Sequence, residues 1–379
     1  MRIGIDLLPL QTETAGVERY ARSLIQEWAS LDRENQYFLF LTEGNREAFE
    51  PRGADNFHSI VYSIPAHLRP WRISWEQAVL PLAARRLGLD LLFCPSNIAP
   101  LLTPCRLVVT VHDLHWFFFP ELFSRVKWWY VTRFISLSAR KADRVITDSQ
   151  NSKQDIAHLL KLPAEKIEVV YPGLGPPFQP LKELEGQAAR VRHRYNIESK
   201  FILTVERLYR RKNIPRLLRA YHALKERENL PAQLVIVGAK GDGYEEIIST
   251  IEELKLKQDV VLTGPVSDEE LIALYNMASL FVYPSLYEGF GIPVLEAMAC
   301  GVPVVASNAS SLPEVCGDAA LTVDPYDTEA LAGAIWKLWQ DESLRRDMGR
   351  KGRERAGKFT WEKAARETLA VFEEVCEVK

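Results

Sequence analysis

The chain has 379 residues, 47% of them hydrophobic, which is enough apolar material for two cores of ordinary domain size. Its formal net charge of −3 and isoelectric point near 6.2 exclude the strongly basic surface of a general nucleic-acid-binding protein. Five cysteines without CxxC spacing argue against a disulfide framework or a zinc site. No signal peptide precedes the first strand, and no run reaches the ~18 apolar residues of a membrane span, so we expect a cytoplasmic protein.

The first half of the chain alternates short apolar strands with amphipathic helices. The first strand is predicted at 2–8, and Gly16 opens a helix over 17–28. Further strands are predicted at 37–41, 59–62, 91–94, 107–111, 145–149 and 167–170, and helices at 73–87 and 152–160. A Pro/Gly-rich run at 171–177 and a polar segment to about residue 200 are typical of an inter-domain connection.

The second half repeats this alternation. Strands are predicted at 201–205, 234–238, 260–263, 279–283, 302–306 and 321–323, and helices at 214–227, 244–254 and 268–278, before a tail of three helices from 328. Strands that are apolar throughout are typical of a parallel sheet covered on both faces. We therefore predict an α/β fold with two doubly wound, Rossmann-like domains, whose ligands bind at the carboxyl ends of the strands. Neither first turn carries GxGxxG, which disfavours a nicotinamide or flavin enzyme.

The stretch 283–296, YPSLYEGFGIPVLE, is predicted to run from a strand through a loop into a helix. Gly289 and Gly291 allow the turn, and the unpaired N–H groups of the helix start form an anion site. Glu288 and Glu296 would repel a phosphate, so we expect each to accept hydrogen bonds from neutral sugar hydroxyls. These features favour a nucleotide-diphosphate-sugar pocket over an acidic loop that only caps a surface helix.

Four cations follow the first strand of the second half: Arg207, Arg210, Arg211 and Lys212. Arginine offers a planar fork to phosphate, and lysine offers a compact charge. Cations at a helix start oppose the helix dipole unless an anion is present. This favours a diphosphate-binding role over solvated surface cations, and the lack of a DxD pair in a comparable loop predicts that no metal is needed.

Two residues of the first half are weaker candidates. His112 ends a strand, where it could hydrogen-bond a sugar hydroxyl or a diphosphate, and a structural role is the alternative. Gly16 offers a second cluster of helix N-terminal amides, although a glycine before a helix also serves a turn alone.

Several motifs together identify a family. They are EGFGIPVLE at 288–296, an E-x7-E pattern, Arg207 with Lys212-Asn213, VHD at 111–113, TDS at 147–149 with Ser152, and LPEV at 312–315. With them the chain resembles the retaining glycosyltransferases of family 4, which have the GT-B fold. The resemblance covers nearly the whole chain. It implies an acceptor-binding domain at 1–178, a donor-binding domain at 179–360 facing it across a cleft, and a C-terminal helix at 361–379 that packs back on the first domain.

The resemblance also implies roles for individual residues. Arg207 and Lys212 would hold the donor diphosphate and stabilise the departing nucleotide, and Glu296 would bind the ribose hydroxyls. The donor sugar and the rest of the donor would be bound by Glu288, Gly289, Phe290, Gly291 and Ile292. Gly16 would lie near the diphosphate, and His112 would lie near the transferred sugar. One position departs from the family, because Glu206 stands where glycine is common. This carboxylate would either point away from the donor or lower its affinity.

The implied reaction is metal-independent transfer with retention of configuration. The GVERY start at 16–20 and the HD strand end at 112–113 resemble members that take mannose from GDP-mannose in polysaccharide assembly, although other members use UDP-sugars. The expected acceptor is a glycan or a lipid-linked glycan. Two other classes stay open, a nucleotide-sugar epimerase of the same fold and a non-catalytic nucleotide-sugar-binding protein.

The segment 115–141 mixes aromatic residues with cations. Such a segment can lie at a membrane surface, with its aromatic side chains in the interface and its cations toward anionic lipid. We expect a peripheral enzyme at the inner face of the membrane. The alternative is that Trp128, Trp129 and Phe134 pack in the core beneath their own helix.

Overall fold

The computed structural model describes residues 1–10, 16–64, 69–175, 178–181 and 185–377. The chain forms two compact units. Unit 1 combines Met1–Gly173 with Thr360–Lys379, and unit 2 is Leu174–Phe359. The sequence places these two boundaries after residues 178 and 360, within a few residues of the observed positions.

Unit 1 is a seven-stranded parallel sheet with helices on both faces. Its strands are β1 Arg2–Asp6, β2 Gln36–Thr42, β3 Phe57–Tyr62, β4 Leu91–Cys94, β5 Arg106–Thr110, β6 Arg144–Thr147 and β7 Ile167–Val169, in the order β3-β2-β1-β4-β5-β6-β7. Its first helices are α1 Gly16–Leu31, α2 Arg46–Phe49, α3 Arg69–Leu87, α4 His115–Phe118, α5 Arg125–Lys141 and α6 Gln150–Leu160.

Unit 2 is a six-stranded sheet whose strands are also paired in parallel. Its strands are β8 Lys200–Val205, β9 Ala232–Val237, β10 Val260–Gly264, β11 Leu280–Tyr283, β12 Val304–Ser307 and β13 Ala320–Val323, in the order β10-β9-β8-β11-β12-β13. Its helices are α7 Glu185–Tyr195, α8 Ile214–Glu228, α9 Tyr244–Glu253, α10 Asp268–Met277, α11 Ile292–Ala299, α12 Leu312–Cys316, α13 Thr328–Gln340 and α14 Glu342–Ala356.

The last helix, α15 (Trp361–Glu377), belongs to unit 1. Its apolar face lies against α1, where the indole Nε1 of Trp28 donates a hydrogen bond to the Ala365 carbonyl at 3.0 Å. The ring of Phe372 lies 5.7 Å from the ring of Trp28 and 5.1 Å from that of Phe93. A Cβ on Gly173 would lie 2.1 Å from the backbone nitrogen of Trp361, so only glycine fits where these two segments of unit 1 meet.

The prediction of a polar inter-domain connection as far as residue 200 is wrong in one respect. Residues Glu185–Tyr195 of that segment form α7, which lies in unit 2 and pairs with α10 through Arg194 and Glu270 at 2.7 Å. Only Val191 of this helix is buried. With so little apolar surface, the sequence of α7 lacks the periodicity by which a helix is predicted.

Candidate donor site in unit 2

The candidate site lies where two neighbouring strands of unit 2 end. β8 and β11 are adjacent in the sheet, and from this pair the strand order runs outward in opposite directions. Such a switch point opens a crevice at the carboxyl ends of the strands, because the chain leaves the two strands in opposite directions along the sheet. Glu206–Asn213 follow β8, and Pro284–Gly291 follow β11.

Hydrogen bonds to backbone carbonyls hold the two loops together. The amide nitrogen of Leu286 donates to the Arg211 carbonyl at 2.8 Å. Asn213, which adopts a left-handed conformation with φ 60° before α8, donates through Nδ2 to the carbonyls of Pro284 at 3.1 Å and Pro325 at 2.7 Å. The cationic turn is therefore fixed against the glycine-bearing loop.

The glycine-bearing loop is also fastened from its other side. The amide nitrogen of Glu288 donates to Ser310 Oγ at 2.9 Å, and Ser311 Oγ donates to the carbonyls of Glu288 at 3.0 Å and Phe290 at 2.9 Å. Gly291 has φ 106°, and a Cβ there would lie 2.7 Å from Leu312 Cδ2. Glycine is thus required immediately before α11, which begins at Ile292.

Glu288 joins the two loops through charge. Its Oε1 atom lies 2.5 Å from Lys212 Nζ, and its Oε2 atom lies 3.2 Å from Arg211 Nη1. Tyr283 OH accepts a further hydrogen bond from Lys212 Nζ at 2.9 Å, and Ser285 Oγ donates to Glu288 Oε1 at 2.5 Å. Burial alone would raise the pKa of Glu288, but Lys212 and Arg211 outweigh it and lower this pKa to about 2.

These contacts differ from the expectation that Glu288 accepts hydrogen bonds from neutral sugar hydroxyls. In the structure its partners include two cations, because the run Arg211-Lys212 ends directly beside its carboxylate. Glu288 is therefore ionised at neutral pH, and it orients both cations.

The predicted cations occupy different environments. Lys212 is buried, whereas Arg207 is exposed, with its guanidinium carbon 5.4 Å from the centre of the Tyr209 ring. Arg210 is exposed, and its Nε lies 3.9 Å from Glu246. The structure thus brings Lys212 to Glu288 and leaves Arg207 accessible to solvent.

Glu296 lies on α11 and is 3% exposed. Its Oε2 atom accepts a hydrogen bond from the Tyr275 hydroxyl at 2.9 Å. The predicted ribose-binding carboxylate is therefore held in position by a side chain of α10. No pattern in the sequence singles out Tyr275, Ser310 or Ser311, and Arg211 could be found only as one member of a cationic run.

His112 lies in unit 1, just after β5. Its Nδ1 atom is 2.8 Å from Asp148 Oδ2, and its Nε2 atom is 3.1 Å from the Pro95 carbonyl. Burial lowers the pKa of this imidazole, but the Asp148 carboxylate and the Pro95 carbonyl favour its charged form, and the net pKa is raised. Since both ring nitrogens face acceptors, a sugar hydroxyl would have to replace the Pro95 contact.

Gly16 is exposed at the first position of α1, and a Cβ there would meet no atom within 4 Å. The local structure of the described residues therefore gives no steric reason for glycine at this position.

The segment 115–141 exposes several large apolar side chains. Phe118 is 43%, Val126 81% and Trp129 61% exposed. Trp128 is half-buried and donates through Nε1 to the Trp116 carbonyl at 2.9 Å. The alternative in which Trp128, Trp129 and Phe134 all pack in the core does not hold for Trp129. No helix among the residues that the structure describes has both the length and the apolar character needed to cross a bilayer.

Comparison with known proteins places these features in a family. Residues 187–355 match the family model for glycosyl transferases group 1, and residues 14–176 match the model for glycosyltransferase family 4. The O-antigen chain mannosyltransferase B of Escherichia coli is 34% identical over 268 residues, which cover 70% of each chain. The serotype-specific mannosyltransferase WbdA of Escherichia coli is 29% identical over 227 residues, 59% of this chain and 28% of WbdA.

Solved structures agree on the fold. A glycosyltransferase from Rickettsia africae superposes with a TM-score of 0.76 at 18% identity, covering 100% of this chain and 99% of that one. Anabaena Alr3699/HepE in complex with UDP-glucose gives a TM-score of 0.75 at 20% identity, covering 99% and 100%. The predicted GT-B fold class is confirmed. The chain belongs to the group 1 glycosyltransferases, and its first half is a family 4 glycosyltransferase domain.

Proposed function

We propose that this protein is a retaining mannosyltransferase that moves mannose from GDP-mannose to a glycan or lipid-linked glycan, without a metal ion. The observation that carries the proposal is the ion-paired group of half-buried Arg211 and buried Lys212 and Glu288 at the β8–β11 switch point. One carboxylate between two cations leaves a net positive charge that suits a diphosphate. The choice of mannose is supported by the mannosyltransferases among the relatives.

In this proposal the nucleotide diphosphate leaves against fixed positive charge. The bond between the anomeric carbon and the phosphate oxygen breaks, and the acceptor oxygen bonds to the same face of the sugar. The departing phosphate oxygen takes the acceptor proton. Lys212 and the exposed Arg207 stabilise the charge that develops on the diphosphate, and this stabilisation is effective because the groups are oriented beforehand.

The remaining predicted residues take supporting roles. The backbone amides at the start of α11, with Gly289, Phe290, Gly291 and Ile292, bind the donor, and Glu296 accepts hydrogen bonds from the ribose. His112 contributes to transfer by contacting the mannose. Gly16 is assigned to the diphosphate because of its place at the start of α1.

Unit 1 provides a surface for anionic lipid. Within 115–141 five cations, Arg125, Lys127, Arg133, Arg140 and Lys141, stand against one carboxylate, Glu121, and all six are exposed. Exposed Val126 and Trp129 lie on the same helix, α5. Apolar and aromatic side chains beside clustered cations suit the interface of an anionic membrane, which is where a lipid-linked acceptor would be found.

A donor screen tests the proposal. The protein is incubated with a lipid-linked glycan and, in turn, GDP-mannose and UDP- and other GDP-sugars, and released nucleotide is measured. We expect release of GDP from GDP-mannose. NMR should show that the product is α-linked, which is the anomeric configuration of the donor. Formation of an epimer from the nucleotide sugar alone would show the epimerase instead. Tight binding of a donor without turnover on any acceptor would indicate a binding protein.

A further inference from the structure

Glu206 is the least satisfied charged group near the candidate donor site. It follows β8 directly, and its side chain is 1% exposed. Its Oε2 atom lies 3.4 Å from Lys212 Nζ, yet neither carboxyl oxygen accepts a well-aligned hydrogen bond from the described residues. A buried carboxylate in such a position is strongly disfavoured, whereas a neutral carboxyl is tolerated.

The charges around Glu206 also favour a neutral carboxyl. The charged and titratable groups that face it are Lys212, Arg211, Glu288 and the Tyr283 hydroxyl. With Glu206 ionised, two cations and two carboxylates would cancel. With Glu206 protonated, the group keeps one positive charge. Burial raises the pKa of Glu206, Lys212 partly offsets this rise and Glu288 adds to it, so that the pKa is about 8. Glu288, which contacts the same lysine, has a pKa of about 2.

We propose that Glu206 is a positioning residue that stands protonated beside Lys212, so that it packs against the ammonium without cancelling the charge that binds the donor diphosphate. This inference rests on the proposed donor site. It resolves the departure from the family at this position, because a neutral carboxyl neither repels the donor nor has to point away from it. In alkaline solution Glu206 ionises, and affinity for the diphosphate falls.

Binding of GDP and UDP alone tests the inference by calorimetry between pH 7 and 9. We expect the affinity of the native protein to fall about fivefold over this range, because a coupling of about one pKa unit between the diphosphate and Glu206, whose pKa is about 8, reaches its full tenfold effect only above pH 9. Glu206→Gln, which keeps the size and removes the proton equilibrium, should lack this fall. Titration of the nucleotide itself is common to both proteins. The same pH dependence in both would overturn the role of Glu206.

A wrong donor site and a wrong role for Glu206 give different binding results. If neither nucleotide binds at any pH, the donor site is wrong and the role of Glu206 falls with it. If a nucleotide binds and Lys212→Met abolishes binding, the donor site stands, and only the comparison of Glu206→Gln with the native protein decides the inference.

A second measurement needs no ligand. Infrared difference spectra of the native protein between pH 7 and 9 should show the loss of a protonated-carboxyl band that Glu206→Gln, or Glu206→Met if the first variant fails to fold, does not show. Asp6 and Glu76, whose pKa values burial also raises, contribute equally to native and variant spectra. Identical difference spectra would show that Glu206 does not lose a proton between pH 7 and pH 9, which would overturn the inference.

Discussion

Lys212 Nζ lies 2.5 Å from Glu288 Oε1, and both side chains are buried although 76 positions separate them in the chain. This contact joins the turn after β8 to the loop after β11. In a low-dielectric setting, removing either partner leaves the other as a buried charge with weaker compensation. Among the described residues, Glu288 then keeps only Arg211, and Lys212 keeps only Glu206. The pair is therefore both a structural link and the centre of the proposed diphosphate site.

Lys212→Met should reduce transfer by roughly 10²–10³-fold, as expected for the loss of one preorganised charge. It should also lower the free energy of unfolding by about 3 kcal/mol, because Glu288 loses a buried cation. Initial rates and urea unfolding measure the two effects. Arg227→Met is the matched control, since Arg227 forms an exposed pair with Glu329 and its loss should leave the stability nearly unchanged. Normal transfer by Lys212→Met would refute the diphosphate assignment.

Glu288→Gln should weaken the loss of stability that the native protein shows as the pH falls below 4.5. The folded-state pKa of Glu288, about 2, is below its ordinary value of 4.5, so its contribution is complete above pH 4.5 and is lost as the pH falls toward 2. The native protein should therefore lose stability more steeply than Glu288→Gln between pH 5 and pH 3, as measured by urea midpoints. Parallel curves for the two proteins would contradict a depressed pKa.

Glu206→Gln should change the pH dependence of stability above pH 4.5, whereas Glu288→Gln changes it at acid pH. A carboxyl whose pKa rises on folding from 4.5 to about 8 keeps its proton in the folded state while the unfolded state loses it. The stability of the native protein then falls as the pH rises from 4.5 to 8. We expect Glu206→Gln to be more stable than the native protein at pH 8 and the difference to shrink by pH 5. A difference that does not change with pH would point to packing alone.

His112→Gln should lower kcat by about tenfold to a hundredfold and leave the KM for the donor nearly unchanged, if His112 contacts the transferred sugar. His158→Gln is the control, because His158 is an exposed histidine of the same unit. Steady-state kinetics separates the two constants. A rise in the donor KM with normal kcat would place His112 in ground-state binding.

Flotation with anionic vesicles tests the lipid surface of unit 1. Trp129→Ser should weaken binding several-fold, because an amphipathic side chain leaves the interface, and high salt should release the native protein. Leu102→Ser removes a residue of unit 1 that is 75% exposed outside 115–141, and it should bind like the native protein. Equal loss in both variants, or no vesicle binding at all, would exclude this segment as the contact.

The pattern of apolar residues was sufficient to predict both doubly wound sheets, because most of their strands are short apolar runs, and the inner ones are buried on both faces. It failed at α7, where a single buried valine gives no period. The E-x7-E stretch and the cationic run indicated which loops form the site. The partners of Glu288, however, depend on side-chain directions across two loops. Those directions follow from the register of β8 against β11, which the sequence alone does not give.

The departure at Glu206 shows a further limit. From the sequence alone, Glu206 is expected to add a negative charge beside a phosphate site. Its effect depends on its protonation, and protonation depends on burial and on Lys212 and Glu288. Electrostatic roles of this kind become predictable only when the fold has removed water from the group.

The interruption of unit 1 by unit 2 has a consequence for synthesis on the ribosome. All of Leu174–Phe359 leaves the ribosome before the last helix of unit 1 does, so unit 2 can complete its fold first. Until Trp361–Glu377 emerges, Trp28 and Phe93 lack the cover of Phe372. The nascent protein therefore carries an open apolar face through most of its translation, and a chaperone that shields this face would act on unit 1 and not on unit 2.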